Sequence, residues 1–167
     1  TRVKKALNKI STQKKLSKYS DSMPKNEIDY LMTLFSRGEL VLVTDRCQKL
    51  ELEFAKDYKI WNISGAAYKK LGNLIKAEEK FRKACALSLN NPEVLNNLGL
   101  TLALQGRNGK AIQSYKEATR IQPNSYEPYF NMGDALINQK KFTEALVVYE
   151  KVLKFNFGNS RAQYNFA

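Results

Sequence analysis

Three asparagines, Asn97, Asn131 and Asn165, recur at one constant spacing, each directly before Leu-Gly, Met-Gly or Phe-Ala. A primary amide has two donors and an acceptor, so it can pair with the N–H and C=O of an extended backbone together. That is recognition chemistry, and bond-making chemistry is scarce beside it. Histidine is absent, which removes Ser-His-Asp catalysis, imidazole acid–base work and every zinc site that needs imidazole. Cys47 and Cys85 lie far apart in the chain, each on an apolar stripe. Packing is expected of them rather than nucleophilic reactivity, and they offer neither a CxxC pair nor a disulfide framework. Gly109-Lys110-Ala111 matches only the end of a phosphate loop, without the Ser or Thr after Lys and without a strand before it. Glu78 and Glu79 are adjacent, but beside Lys76, Lys80 and Lys83 they read as a solvated outer helix face. No catalytic residue, no metal site, no cofactor and no small-molecule substrate is expected.

The elements that must carry the amides come from a repeat. Blocks of equal length, counted from Pro24, align without gaps as 24–57, 58–91, 92–125 and 126–159, and a fifth begins at 160 and runs to 167. Repeating units of this length cannot bury an apolar face alone and must stack. The eighth column holds Gly65, Gly99 and Gly133, where a missing side chain lets two helices approach. The twentieth holds Ala77, Ala111 and Ala145, and the twenty-fourth holds the large rings Phe81, Tyr115 and Tyr149. Gly72 and Gly106 stand where a helix ends most easily in a left-handed conformation, and Lys140 takes that place in the fourth block. Apolar residues step by three and four through each half-block, as in Trp61, Gly65, Tyr68 and Leu71. This predicts an all-α chain with helices over 27–37, 40–54, 59–71, 74–88, 93–105, 108–121, 127–139 and 142–155.

The first block is divergent. Leu31 and Val43 replace the small residues of the eighth and twentieth columns, so its two helices are expected to stand further apart.

The third block resembles the tetratricopeptide repeat through Leu95, Leu98, Gly99, Leu102, Ala111, Tyr115, Ala118 and Pro123, and the second through Trp61, Gly65, Tyr68, Ala77, Phe81 and Ala84. The fourth departs from the family pattern at Val152 and Phe157. The resemblance covers 24–167 and implies a right-handed superhelical solenoid of antiparallel helix pairs. It also implies that the first helix of each pair lines a concave groove. Lys59, Asn62 and Lys69, then Asn97, then Glu127, Asn131 and Asp134, and finally Asn165 would lie there. The three regularly spaced asparagines would form an amide ladder like that in the repeat domain of O-linked N-acetylglucosamine transferase, broken in the second block by Ile63 with Asn62 beside it. The amides would either hold a ligand backbone or bond within the array. The family's two-carboxylate clamp is not expected, because its basic residues on the later repeats are missing.

The net charge is +12, of which residues 1–23 carry +6. Val3, Leu7 and Ile10 would give that segment a short amphipathic helix, and a basic linker is the alternative. Arg supplies 7 of the 28 basic residues, and Lys and Asn are both abundant, as an AT-rich coding sequence would make them. Nucleic acid is therefore not the expected partner, although a polyanion bound through 1–23 is a further alternative, recognisable by steep loss of binding with salt. The chain starts at Thr1 and stops inside a block, so it reads as a piece of a longer protein. Its truncated end, around Phe155, Tyr164 and Phe166, is expected to expose apolar surface and favour self-association. The expected role is a non-catalytic scaffold for a peptide or partner protein in a cytoplasmic setting. The alternative is a substrate-recruiting or regulatory arm of a larger bacterial transferase or oxygenase.

Overall fold

The computed structural model describes residues 22–89 and 91–155. Among them stand eight helices and no strand: α1 (Lys25–Ser36), α2 (Leu40–Glu53), α3 (Tyr58–Lys70), α4 (Leu74–Leu87), α5 (Pro92–Leu104), α6 (Asn108–Ile121), α7 (Tyr126–Asn138) and α8 (Phe142–Leu153). Every helix begins and ends within two residues of its expected place. Consecutive helices pack as hairpins, and each second helix also packs on the first helix of the next pair. Residues 1–21 of the expected segment 1–23, and the cut block 160–167 with Asn165, Tyr164 and Phe166, lie outside the described residues. Phe155 is half-buried, its ring 6.0 Å from that of Tyr129.

Local chemistry explains the regularity of the bounds. The turns inside the hairpins pass through Gly38, Gly72 and Gly106 at φ between 75° and 77°. Lys140 is forced to φ 61° at the corresponding place, a conformation that costs an L residue about 1–2 kcal/mol. The backbone then closes each helix, as when Asn73 N–H reaches Tyr68 O at 2.9 Å. Two of the first helices start on side chains that stand one repeat apart. Asp57 accepts from Lys59 N at 2.9 Å, and Asn91 accepts from Glu93 N and Val94 N at 3.0 and 3.3 Å. Asp57 is buried and also accepts from Met23 N at 2.7 Å, which fastens the chain entering α1 to the start of α3.

The core is a series of rings laid over glycines. A Cβ at Gly65 would meet the Phe81 ring at 2.9 Å, and one at Gly133 would meet the Tyr149 ring at 2.6 Å. At Gly99 the Tyr115 ring is closer still. Phe81 and Tyr115 are 0% exposed and Tyr149 is 1% exposed, so the rings have no room to retreat. The first hairpin uses the inverse arrangement. Leu31 and Val43 fill the space, and Cys47 takes the ring's column, all three fully buried. As expected from the bulky residues, α1 and α2 approach each other much less closely than the later pairs. One apolar cluster runs from Met23 to Ala67 and a second from Tyr68 to Val152, with α3 contributing to both.

Gly99→Leu is expected to lower the melting temperature, with overpacking costing roughly 1–3 kcal/mol. Helix propensity returns up to about 1 kcal/mol of this, so a net loss measures the clash itself. Adding Tyr115→Cys, which imports the first hairpin's solution, is expected to recover part of the loss in a thermal melt. An unchanged melting temperature for Gly99→Leu would contradict the close approach.

Candidate functional site

Helices α3, α5 and α7 stand side by side, and their polar side chains join across the repeat boundaries. Asn97 Nδ2 donates to Asn62 Oδ1 at 3.3 Å, and Asn62 Nδ2 donates to Glu93 Oε1 at 3.1 Å. Lys69 Nζ donates to Asn97 Oδ1 at 3.2 Å. One repeat further on, Asn131 Nδ2 donates to Asn96 Oδ1 at 2.9 Å. The amides thus tie α3 to α5 and α5 to α7, over sequence separations of 31–35 residues. Asn62, Asn97 and Asn131 are half-buried rather than fully solvent-facing. An amide has a second N–H and a second lone pair on oxygen, so these bonds leave capacity on the open side.

Between α5 and α7 opens a cleft of about 780 Å³. Glu93, Asn96, Asn97 and Leu100 form one wall, and Glu127, Phe130 and Asn131 form the other. A smaller recess of about 200 Å³ adjoins it through Leu100 and Asn131 and contains Asp134. The Tyr149 hydroxyl donates to Asp134 Oδ1 there at 2.6 Å. The structure therefore brings Asn97, Asn131 and Glu127 into one cleft and puts Asp134 next door. Asn62 and Lys69 reach the cleft's edge through their bonds to Glu93 and Asn97. Lys59 is exposed and lines neither space. Burial, and then the charge of Lys70, hold the half-buried Lys69 ammonium below its ordinary pKa, and its Nζ stands 5.7 Å from the centre of the Phe81 ring. Among the described residues no group of three or more His, Cys, Asp or Glu side chains is placed to hold a metal, and no helix is long and apolar enough to cross a membrane. Burial pushes the Cys47 thiol up to about 12 and raises that of Cys85, so neither is an activated nucleophile.

The family profile described as "TPR repeat" matches residues 65–106 and 101–140, and the one described as "Tetratricopeptide repeat" matches 126–159. The chain belongs to the tetratricopeptide repeat family. The all-α solenoid is likewise shared with solved tetratricopeptide structures. MamA superposes with a TM-score of 0.73 at 22% identity, over 80% of this chain and 77% of that one. YrrB, titled "a TPR protein with an unusual peptide-binding site", gives a TM-score of 0.72 at 23% identity, over 83% and 72%. Among curated relatives, the barley (Hordeum vulgare) probable UDP-N-acetylglucosamine–peptide N-acetylglucosaminyltransferase SPINDLY is 32% identical over 94 residues, 52% of this chain and 10% of that protein. The chain spans no more than about a quarter of the first curated relatives it matches.

The tetratricopeptide array is also held by ion pairs between successive repeats. Glu78 is not part of a solvated outer face. It accepts from Arg82 Nε at 2.9 Å on its own helix and from Arg107 Nη1 at 2.5 Å in the next repeat's turn. Glu79 is exposed, as expected. Lys80 donates to Glu51 at 2.7 Å with both side chains nearly nine-tenths buried, and it lies 4.8 Å above the Trp61 ring. The signal for these pairs is a separation of 29 residues between the partners, close to one repeat.

Burial pulls the Glu78 carboxyl up, but hydrogen bonds from Arg82, Gln105 and Arg107 and the Arg107 charge outweigh it and hold the pKa below the ordinary value of 4.5. A carboxylate with a lowered folded pKa stabilises the fold fully above its unfolded pKa and loses that contribution as pH falls through the folded one. Both arginines are partly exposed, so the contribution is about 0.5–1 kcal/mol. Glu78→Gln is expected to melt below the wild type at pH 7, with the difference closing between about pH 5 and pH 3. A gap of constant size down to that pH would contradict the assignment.

Proposed function

We propose that this array is a non-catalytic scaffold that holds an extended peptide, or an extended segment of a partner protein, along α3, α5 and α7. The carrying observation is the set of half-buried amides, Asn62, Asn97 and Asn131, bonded on one side and open on the other beside a cleft of about 780 Å³. Preordered amides lose little entropy on meeting a backbone, and they read N–H and C=O groups rather than side chains. Lys69 on α3 and Glu127 and Asp134 on α7 favour a ligand of mixed charge. Asn165 would extend the ladder into a further repeat. YrrB carries a peptide-binding site by its title, and SPINDLY acts on peptide by its name, and both are consistent with a peptide in the groove.

The chain covers 10% of SPINDLY, which favours the second reading that the array recruits substrate for a catalytic domain elsewhere in a longer protein. We further read 24–57 as a divergent first repeat, on its Gly38 turn and its exchanged Leu31, Val43 and Cys47 packing. Two free cysteines suit a reducing compartment such as the cytoplasm. Self-association is proposed through the apolar residues Phe155, Tyr164 and Phe166.

Asn97→Ala combined with Asn131→Ala is expected to weaken peptide binding by roughly 1–3 kcal/mol. The probe is a fluorescent peptide selected on the wild-type chain from a random library, read by anisotropy. Because the amides also tie α3, α5 and α7 together, the melting temperature is expected to fall modestly while helical circular dichroism at room temperature is retained. Unaltered affinity with an intact fold would move the partner to another face.

A further inference from the structure

The rings over the glycines also deliver hydroxyl groups. Because residue 99 has no side chain, the Tyr115 ring on α6 lies across the backbone of α5, with its Cζ 2.9 Å from where a Cβ would be. Tyr115 is among the residues lining a recess of about 200 Å³ with Leu100, Leu104, Asn131, Asp134 and Asn138, and its hydroxyl lies buried behind that lining. The residue is 0% exposed, and among the described residues the hydroxyl has no hydrogen-bond partner. Tyr149 crosses Gly133 in the same way, but its hydroxyl is satisfied by Asp134 Oδ1 at 2.6 Å. Asp134 Oδ2 accepts no hydrogen bond from a described residue. In the second repeat the ring is Phe81, without a hydroxyl, and the cation Lys69 stands above it. The groove thus changes from cationic at α3 to anionic at α7.

A buried hydroxyl without a partner carries its full desolvation cost, so a bound group that reaches it gains a bond without breaking one within the protein. The sign of that ligand follows from the surroundings. Among the described residues neither the recess nor the adjoining cleft has a Lys or Arg in its lining, while Glu93, Glu127 and Asp134 all line them. This occurs in a chain where basic residues outnumber acidic ones by 28 to 16. Leu100 and Leu104 give the recess an apolar wall of the kind that accepts a methylene stem.

We infer that this recess is a specificity subsite for a lysine or arginine side chain of the bound peptide. The stem lies along Leu100 and Leu104, and the cationic head donates to Asp134 Oδ2 and to the Tyr115 oxygen. The inference rests on the peptide-groove reading and adds to it the one side chain that the groove selects.

The test uses the full chain to select from a phage-displayed library of random peptides about 12 residues long, which reach roughly 40 Å when extended. The best peptides are synthesised with a fluorescent label, each also with its basic residue replaced by norleucine. A recurring Lys or Arg position is expected. Norleucine should weaken binding to the wild type about tenfold, as loss of a charge-assisted bond does. Asp134→Asn keeps an oxygen for the Tyr149 hydroxyl and should reduce that penalty to about twofold or less. Tyr115→Phe removes a hydroxyl that has no partner in the free protein, so its melting temperature should not fall, yet the lysine peptide should bind a few-fold more weakly. Peptides that depend on Asn97 and Asn131 but show no basic position, or that keep the full norleucine penalty in Asp134→Asn, overturn the subsite and leave the groove standing. If no peptide is selected, or if selected peptides ignore Asn97→Ala with Asn131→Ala, the groove reading fails and the subsite with it.

Discussion

The contact between a glycine on one helix and an aromatic ring on its partner sets the geometry from which the rest follows. Three hairpins place Phe81, Tyr115 and Tyr149 over Gly65, Gly99 and Gly133, closer than any side chain at those glycines would allow. The ring replaces a side chain, so the two backbones approach and the contact surfaces of successive hairpins become alike. Similar surfaces stack in register, and stacking sets α3, α5 and α7 side by side. The ring's far edge then reaches the groove. There the difference between Phe81 and Tyr115 becomes a difference in chemistry rather than in packing. The first hairpin shows that the constraint concerns volume and not identity. Leu31 and Val43 supply from the first and second helices what the ring supplies elsewhere, and Cys47 makes room for them. The two solutions differ in backbone separation, and only the ring solution brings an aromatic edge to the groove side.

Polar side chains act on the other axis, between repeats. The apolar contacts hold each hairpin together, while Glu78 with Arg107, Lys80 with Glu51, and the Asn62, Asn97 and Asn131 amides cross from one hairpin to the next. Such bonds contribute modestly to stability, about 0.5–1.5 kcal/mol each. Their larger consequence is order. Amides held in place by the neighbouring helix present their remaining donors and acceptors in fixed directions, which lowers the entropy cost of meeting a ligand. A side chain that is structural on one edge and open on the other serves stacking and recognition at once.

Much of this was legible in the chain because its causes are local. A left-handed turn residue, a capping side chain and a small–large pairing each act within a few residues. The period of the sequence then repeats them, and all eight helices fall within two residues of expectation. Even the exception was visible, since Lys140 in a glycine's column predicts the φ of 61° that it adopts. The positions of Asn97 and Asn131 were legible in the same way. Their bonds were not, because a hydrogen bond between side chains 35 residues apart depends on the exact offset between stacked helices. Glu78 was misread for the same reason. Lys76, Lys80 and Lys83 surround it in sequence, whereas its partner Arg107 arrives from the turn of the next repeat. The unsatisfied Tyr115 hydroxyl carries no pattern signal at all, because Tyr and Phe fill a core column equally well.

The central claim is that the face of α3, α5 and α7 is the one a peptide occupies, and the side-chain amide resonances of the asparagines report on it directly. In a ¹⁵N-labelled sample titrated with a library-selected peptide, the NH₂ signals of Asn62, Asn97 and Asn131 should shift together and saturate at one affinity. The NH₂ signal of Asn73, exposed at the turn before α4, should stay in place. Movement of Asn73 or of resonances from Lys116 and Arg120 on α6, with the three groove amides unmoved, would contradict the account and put the partner on the opposite surface.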